Sequence, residues 1–217
     1  HAHRDAHAKS HAILKGRMTV HEDLAPELSQ GIFFPGAEYE VVARLSSAPG
    51  DIHSDEIPAP RGIALKVLGV PGDRLTPTIG GANQDFLMVN FPVLAFGTVQ
   101  KYKKMLALLE KNANAPDSFQ KLVAAAARGA EDVIEALGGK PGATLLGLAR
   151  DNANMLGETF HTQAALRYGD HVAKLSIAPE GGVVDLTDAK VESGFSAMRD
   201  AVGAYLAEND ATYTLCL

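Results

Sequence analysis

Apolar and polar positions alternate with a period near two through much of the first 95 residues, and the period then lengthens. Residues 7–20 (HAKSHAILKGRMTV) alternate in part, with Ile13, Met18 and Val20 as the apolar members. Residues 38–46 (EYEVVARLS) put Tyr39, Val41, Ala43 and Leu45 on one face and Glu40, Val42, Arg44 and Ser46 on the other, which predicts a strand. Ala48-Pro-Gly-Asp51 reads as a turn, and Pro58-Ala-Pro60 leads into a second β-rich run at 61–70 (RGIALKVLGV) closed by Pro71-Gly72. Residues 86–91 (FLMVNF) have the length of a buried strand. Apolar residues at helical spacing follow at Val99, Tyr102, Leu106 and Leu109, then an Ala-rich stretch at 118–137 with Asp117 as N-cap and Gly138-Gly139 as its stop. Strands return over 162–179, with Tyr168-Gly-Asp170 as a bulge or hairpin turn. A helix is predicted over 188–208 on the stripe Phe195, Met198, Val202 and Tyr205, and residues 211–217 alternate as a closing strand.

Strands, a helical insertion, strands, a helix and a strand, in that order, predict an α+β fold: an antiparallel β-barrel with a helical insertion and flanking helices. No repeat or low-complexity linker divides the chain, so residues 1–217 are read as one domain. Residue 1 is His rather than Met and the closing strand runs to Leu217, so the domain is expected to be a fragment at both ends.

Composition narrows the function classes. The chain is 46% hydrophobic and 21% charged, an ordinary globular balance. Its formal charge of −6 is the wrong sign for a general nucleic-acid binder. No apolar run approaches the roughly 20 residues that a membrane-spanning helix needs. Cys216 is the single cysteine, so an internal disulfide and a multi-cysteine zinc site are both excluded. Glycine-rich nucleotide loops, HExxH and GxSxG are absent.

His1, His3, His7 and His11 fall within eleven residues. On a helix, His3, His7 and His11 would form a stripe suited to a metal; on a strand their even spacing also puts them on one face. A solvated polar face is the plainer reading of that spacing.

The residues around His7 shift the balance. Arg4-Asp-Ala-His7-Ala-Lys9 resembles the R-x-x-H-A-K segment that carries the distal histidine of haem catalases. In the same order, Val42-Ala-Arg44-Leu-Ser46 resembles the family's V-R-F-S strand, and Pro60-Arg-Gly-Ile-Ala-Leu-Lys66-Val67 its P-R-G-F-A-V-K-F. Gly80-Gly-Ala-Asn83, followed by Phe86-Leu-Met-Val89, is similar to its V-G-N-N segment and apolar strand, and Phe96 takes the place of a phenylalanine beside the haem. Four matches in order over residues 4–96 are specific where any single one would not be. Residues 160–178 and the helical insertion resemble the small catalase-related haem peroxidases more than the large catalases.

That resemblance implies a haem b protein that cleaves hydrogen peroxide or an organic hydroperoxide, with an electron donor whose identity and an oligomeric state that the sequence leaves open. It implies His7 as acid and base, Asn83 as the polarising donor, and Ser46 as the residue that holds the His7 ring. Arg4 and Arg44 would pair with the haem propionates, and Phe96 would pack on the ring. Arg61 is read as structural, and Met88 as an altered pocket lining where the family has an aromatic ring. The family ligates iron through a tyrosinate with an arginine four residues before it. Tyr39, Tyr102, Tyr168, Tyr205 and Tyr213 follow Pro35, Thr98, Ala164, Ala201 and Asn209 at that spacing, so the proximal ligand is expected to lie outside this chain. Two rival readings remain: a non-enzymatic β-barrel carrier of an apolar ligand, and a hydroperoxide-rearranging haem enzyme. A cytoplasmic location is favoured, with a periplasmic one as the alternative.

Overall fold

The computed structural model describes residues 6–48, 50, 52–74, 81–93, 98–100, 103, 107 and 152–217. The alternating segments form strands β1 (Lys9–Thr19), β2 (Glu38–Ser47), β3 (Arg61–Leu68) and β4 (Asn83–Val89). The second half adds β5 (Phe160–Thr162), β6 (Leu166–Tyr168), β7 (His171–Ala173), β8 (Ser176–Glu180) and β9 (Thr212–Cys216), with helix α1 (Ala197–Leu206) before the last strand. Seven strands make one antiparallel sheet in the order β1-β2-β3-β4-β5-β8-β9, so β1 and β9 are its edges. The expected barrel is therefore open between them. β6 and β7 form a separate hairpin whose turn is Gly169-Asp170. Gly169 has φ +58°, and a Cβ there would meet the Gln30 side chain at 2.0 Å, so both the turn and the packing require glycine.

Register divides the sheet into two faces. Leu45, Ile63 and Met88 stand side by side, as do Ala43, Leu65 and Phe86, and these point inward. Ser46, Gly62 and Val89 form an alternate row, Arg44, Ala64 and Leu87 another, and these point outward. The inner residues join Val67, Phe160, Leu175, Ile177, Met198 and Val202 in one core. Met88, expected in a pocket lining, is instead buried core at 2% exposure.

The helical insertion lies outside the described residues except at Val99, Gln100, Lys103 and Ala107, which are helical. Two expectations are corrected. The helix predicted over 188–208 forms only at Ala197–Leu206, because the preceding backbone pairs elsewhere: Asn154 N–H donates to Ala189 O at 2.8 Å and Val191 N–H to Asn152 O at 2.8 Å. Phe195 thus precedes the helix, whereas Met198 and Val202 bury as the stripe predicts. Second, His7 and His11 do not share a face: Lys9 and His11 both turn toward Asp55, and the alternation is broken before them, at His7, whose φ is +52°.

His11 shares the inward face of Lys9 in a buried polar cluster at the end of the barrel, and a β-bulge between Ser10 and Ala12 then returns Ala12 to the inward side beside Leu45. Lys9 Nζ lies 2.6 Å from Asp55, donates to His53 O at 2.7 Å and to Phe195 O, and sits 4.4 Å over the Phe195 ring. The other carboxylate oxygen of Asp55 accepts the Met198 N–H at 2.9 Å, which caps α1 from 143 residues away. His11 Nε2 meets Ser47 Oγ at 3.0 Å, and its Nδ1 stops 3.9 Å from Asp55, too far for a hydrogen bond. Burial holds the His11 pKa down to about 4; Asp55 opposes that shift, and Lys9, Arg61 and Arg44 reinforce it. His11 is therefore neutral and not an ion-pair partner. Next to it, Arg61 donates to Glu158 Oε1 at 2.6 Å and to Ala153 O at 2.7 Å, the structural role expected of that arginine. Asn90 completes this second cluster, accepting the Arg61 N–H at 3.0 Å.

Two outcomes follow. Asp55→Ala leaves the Lys9 ammonium buried without its carboxylate and uncaps α1, and removing one partner of a buried pair costs about 3–5 kcal/mol, to be read by urea denaturation. Protonation of His11 on unfolding, at an ordinary pKa near 6.5, makes stability fall as pH drops from about 6.5 toward about 4. The slope from this group approaches about 1.4 kcal/mol per pH unit, and His11→Gln removes that share of it.

Candidate functional site

His7 stands just before β1 with φ +52°, a backbone region that non-glycine residues enter at a cost of order 1 kcal/mol or more. Three contacts hold it there. Arg44 Nη2 donates to the His7 carbonyl at 2.8 Å, Ser46 Oγ meets ring Nδ1 at 3.2 Å, and the imidazole lies flat against Gly62. A Cβ on Gly62 would stand 2.7 Å from His7 Cε1 and 3.0 Å from Nδ1, with Met88 O 3.1 Å away. Only glycine at this point of β3 lets the ring approach the sheet.

The alternation of β2 and β3 puts Arg44, Ser46 and Gly62 on the outer face. His7 therefore packs on the outside of the barrel wall rather than pointing into it. Burial lowers the His7 pKa and Arg44 lowers it further, while a hydrogen bond with the Ser46 main chain partly offsets both. The result is a neutral imidazole near neutral pH. Its Nε2 makes no hydrogen bond to any described residue. Beyond it one row of the outer face, Ile13, Arg44, Ala64 and Leu87, is apolar apart from Arg44, with Ile13 and Leu87 71% and 72% exposed, and the row after it carries Lys15, Val42, Lys66 and Asp85.

Asn83 does not join this group. Register pairs Asn83 with Leu68, and Gly62 with Val89, at opposite ends of the β3–β4 hairpin. Six residues at about 3.3 Å each separate the two ends by roughly 20 Å. The Asn83 carbonyl accepts from Arg74 instead. Asn90, which sequence reasoning missed, is the asparagine at the Gly62 end: its N–H donates to Arg61 O at 3.1 Å, and its side chain turns inward to Arg61 and Glu158. The signal for it was its place directly after the apolar run that ends at Val89. Gly62 was quoted within a motif but not recognised as the support of the His7 ring. Arg4 and Phe96 lie outside the described residues.

None of the tyrosines whose hydroxyl contact is seen faces His7. Tyr39 donates to Ile32 O at 2.8 Å, Tyr213 to Leu156 O at 2.6 Å and Tyr168 to Leu28 O. Burial raises the pKa of Tyr168, and burial with the neighbouring Tyr205 raises that of Tyr213, so both stay protonated phenols. Among the described residues no group of three or more His, Cys, Asp or Glu side chains is placed to hold a metal ion. No described helix is long and apolar enough to cross a membrane.

No family model matches the chain, and no curated protein matches it. Solved structures do. A bacterial catalase superimposes with a TM-score of 0.59 at 15% identity over 99% of this chain and 41% of its own. A fungal catalase gives 0.60 at 14% identity over 99% and 42%. The chain thus spans about two-fifths of the catalases it resembles, and at such identities the likeness shows the fold: this is a catalase-type antiparallel sheet.

Gly62→Ala should leave the sheet folded but push the imidazole off it and break the Ser46 contact. The His7 ring resonances, followed by NMR against pH, should then titrate closer to the ordinary value near 6.5, because the ring gains water. Unchanged His7 resonances would show that Gly62 does not hold the ring.

Proposed function

We propose that the outer face around His7 is the peroxide-cleaving face of a haem-dependent, catalase-like oxidoreductase. One observation carries this reading: a neutral, half-buried imidazole with Nδ1 held by Ser46 and Nε2 without a hydrogen bond to any described residue. The catalase fold supports it. The described residues suit haem b on this face: Ile13, Ala64 and Leu87 offer apolar side chains to a flat ring, and Arg44, between Ile13 and Ala64 in the same row, supplies a cation for a propionate. Arg4 would add a second cation and Phe96 a packing ring. When bound, haem supplies the iron at which the peroxide oxygen and its electrons are handled.

The protein's part is proton movement. His7 Nε2 takes the proton from one peroxide oxygen and returns it to the other, so that the departing oxygen leaves as water. A base that must also be an acid has to be neutral at the outset, and burial beside Arg44 keeps it so. Ser46 fixes which nitrogen faces the substrate, and Gly62 sets the height of the ring above the sheet. Asn83 is too far along the hairpin to polarise the same peroxide. The electron donor is a second peroxide or an organic reductant.

In the haem-loaded protein, His7→Ala should slow the first peroxide step by about 10²–10⁴-fold in stopped-flow mixing while haem is retained. The parent rate should fall on the acid side with a midpoint below 6.5, because the depressed pKa keeps His7 neutral further into acid. A parent-like rate in His7→Ala removes His7 as the base.

A further inference from the structure

The inward face of the sheet is filled unevenly. Toward β3, β4 and β5 it is packed solid, with Val67 and Phe160 at 0% exposure and Phe86 at 5%. Toward the edges, inward residues of β1, β2 and β9 are only partly buried although they face the core: Leu14, Met18, Val41, Ala43, Tyr213 and Leu215. Between the two lies a cavity of about 870 Å³, lined by these side chains and open along the seam where β1 and β9 fail to pair. That volume falls within the roughly 300–1,000 Å³ of small-molecule sites. Small residues make the room. Ala12, Gly16 and Ala43 point inward, and a Cβ on Gly16 would meet only Val41 Cγ2 at 3.4 Å, an ordinary contact. Helix α1 limits the opening, with Leu206 on the cavity wall.

We propose that this interior is a binding site for a molecule with one long hydrocarbon tail, a fatty acid or alcohol, entering between β1 and β9. The chemistry of the walls excludes a polar guest. Tyr168 and Tyr213, the tyrosines on the cavity lining, each spend their hydroxyl on a main-chain carbonyl, so they leave no donor for a buried ligand or for water. Leu14, Gly16 and Met18 lie in line along β1, so an extended tail can run beside them over roughly 13 Å. The charged residues of the lining lie on the two sides of the seam, Lys15, Arg17 and His21 at β1 and Glu180 and Asp210 near β9, with Thr19, Asn209, Thr212 and Thr214 as further polar groups. A small polar end belongs there, in water, with the tail inside. The walls close around a guest of molecular size, which a strand added to either sheet edge would not fill.

This site is separate from the His7 face, since the barrel wall lies between them, and the test distinguishes the two. Titration with 11-(dansylamino)undecanoic acid should give saturable, blue-shifted fluorescence that palmitate and hexadecanol both displace. Ala43→Phe fills the cavity from the inner face and should weaken binding at least tenfold with the circular dichroism and Tm retained. His7→Ala, on the other face, should bind the probe as the parent does. Parent-like binding by Ala43→Phe, or no saturable binding by the parent, overturns the proposal. Loss of binding in His7→Ala places the probe on the outer face and overturns it too. So does a dimer, seen by sedimentation, that excludes the probe from the seam. None of these outcomes bears on peroxide cleavage, which is read separately.

Discussion

The buried contact between Lys9 and Asp55 joins three parts of the chain that are remote in sequence: the start of β1, the loop before β3, and the first turn of α1. Two charges taken out of water are costly unless every remaining donor and acceptor is met. Here the ammonium also reaches two carbonyls and the face of Phe195, and the carboxylate also caps the helix. β1 is thereby fixed at its first residue, and His7 stands only two positions before it. The unusual backbone of His7 is held from one side by this buried contact and from the other by Arg44, Ser46 and Gly62.

The two faces of one sheet consequently have different chemistry. One end of the interior is closed by paired polar groups, with Lys9 and Asp55 beside Arg61, Asn90 and Glu158, and His11 among them bonded through Nε2 alone. The rest of the interior is apolar and only partly filled. The outside of the same wall carries a histidine, a serine and an arginine over an apolar strip. The positive φ of His7 sustains this division, because Lys9 and His11 turn inward while His7 stays out. With regular extended backbone at residue 7, the even spacing of the two histidines would put both on one side.

Local pattern made the strands legible. The alternation of residues 38–46 became β2 with its faces as read, and the turn residues at 58–60 and 71–72 bracket β3 closely. His7, Ser46 and Arg44 could be named together because short motifs preserve the spacing within strands, and the structure brings all three into contact. Asn83 failed for a reason that spacing does not contain. A hairpin brings together residues whose numbers have a constant sum, so an asparagine at the start of β4 lands far from Gly62 and one just past its end lands near. The long predicted helix failed likewise, because residues 188–196 find backbone partners near 152–154 that no local propensity reveals.

By itself, the sequence determined the strand periodicity, the antiparallel α+β class, and a histidine of the right type in a recognisable segment, all of which depend on residues near one another along the chain. Tertiary structure alone decided which wall of the barrel His7 occupies, which asparagine shares its end, and whether the barrel closes. Those outcomes turn on register, on the left-handed backbone at His7 and on a buried ion pair between residues 46 positions apart. A shift of one residue in pairing exchanges the faces of a strand without changing its composition or its period.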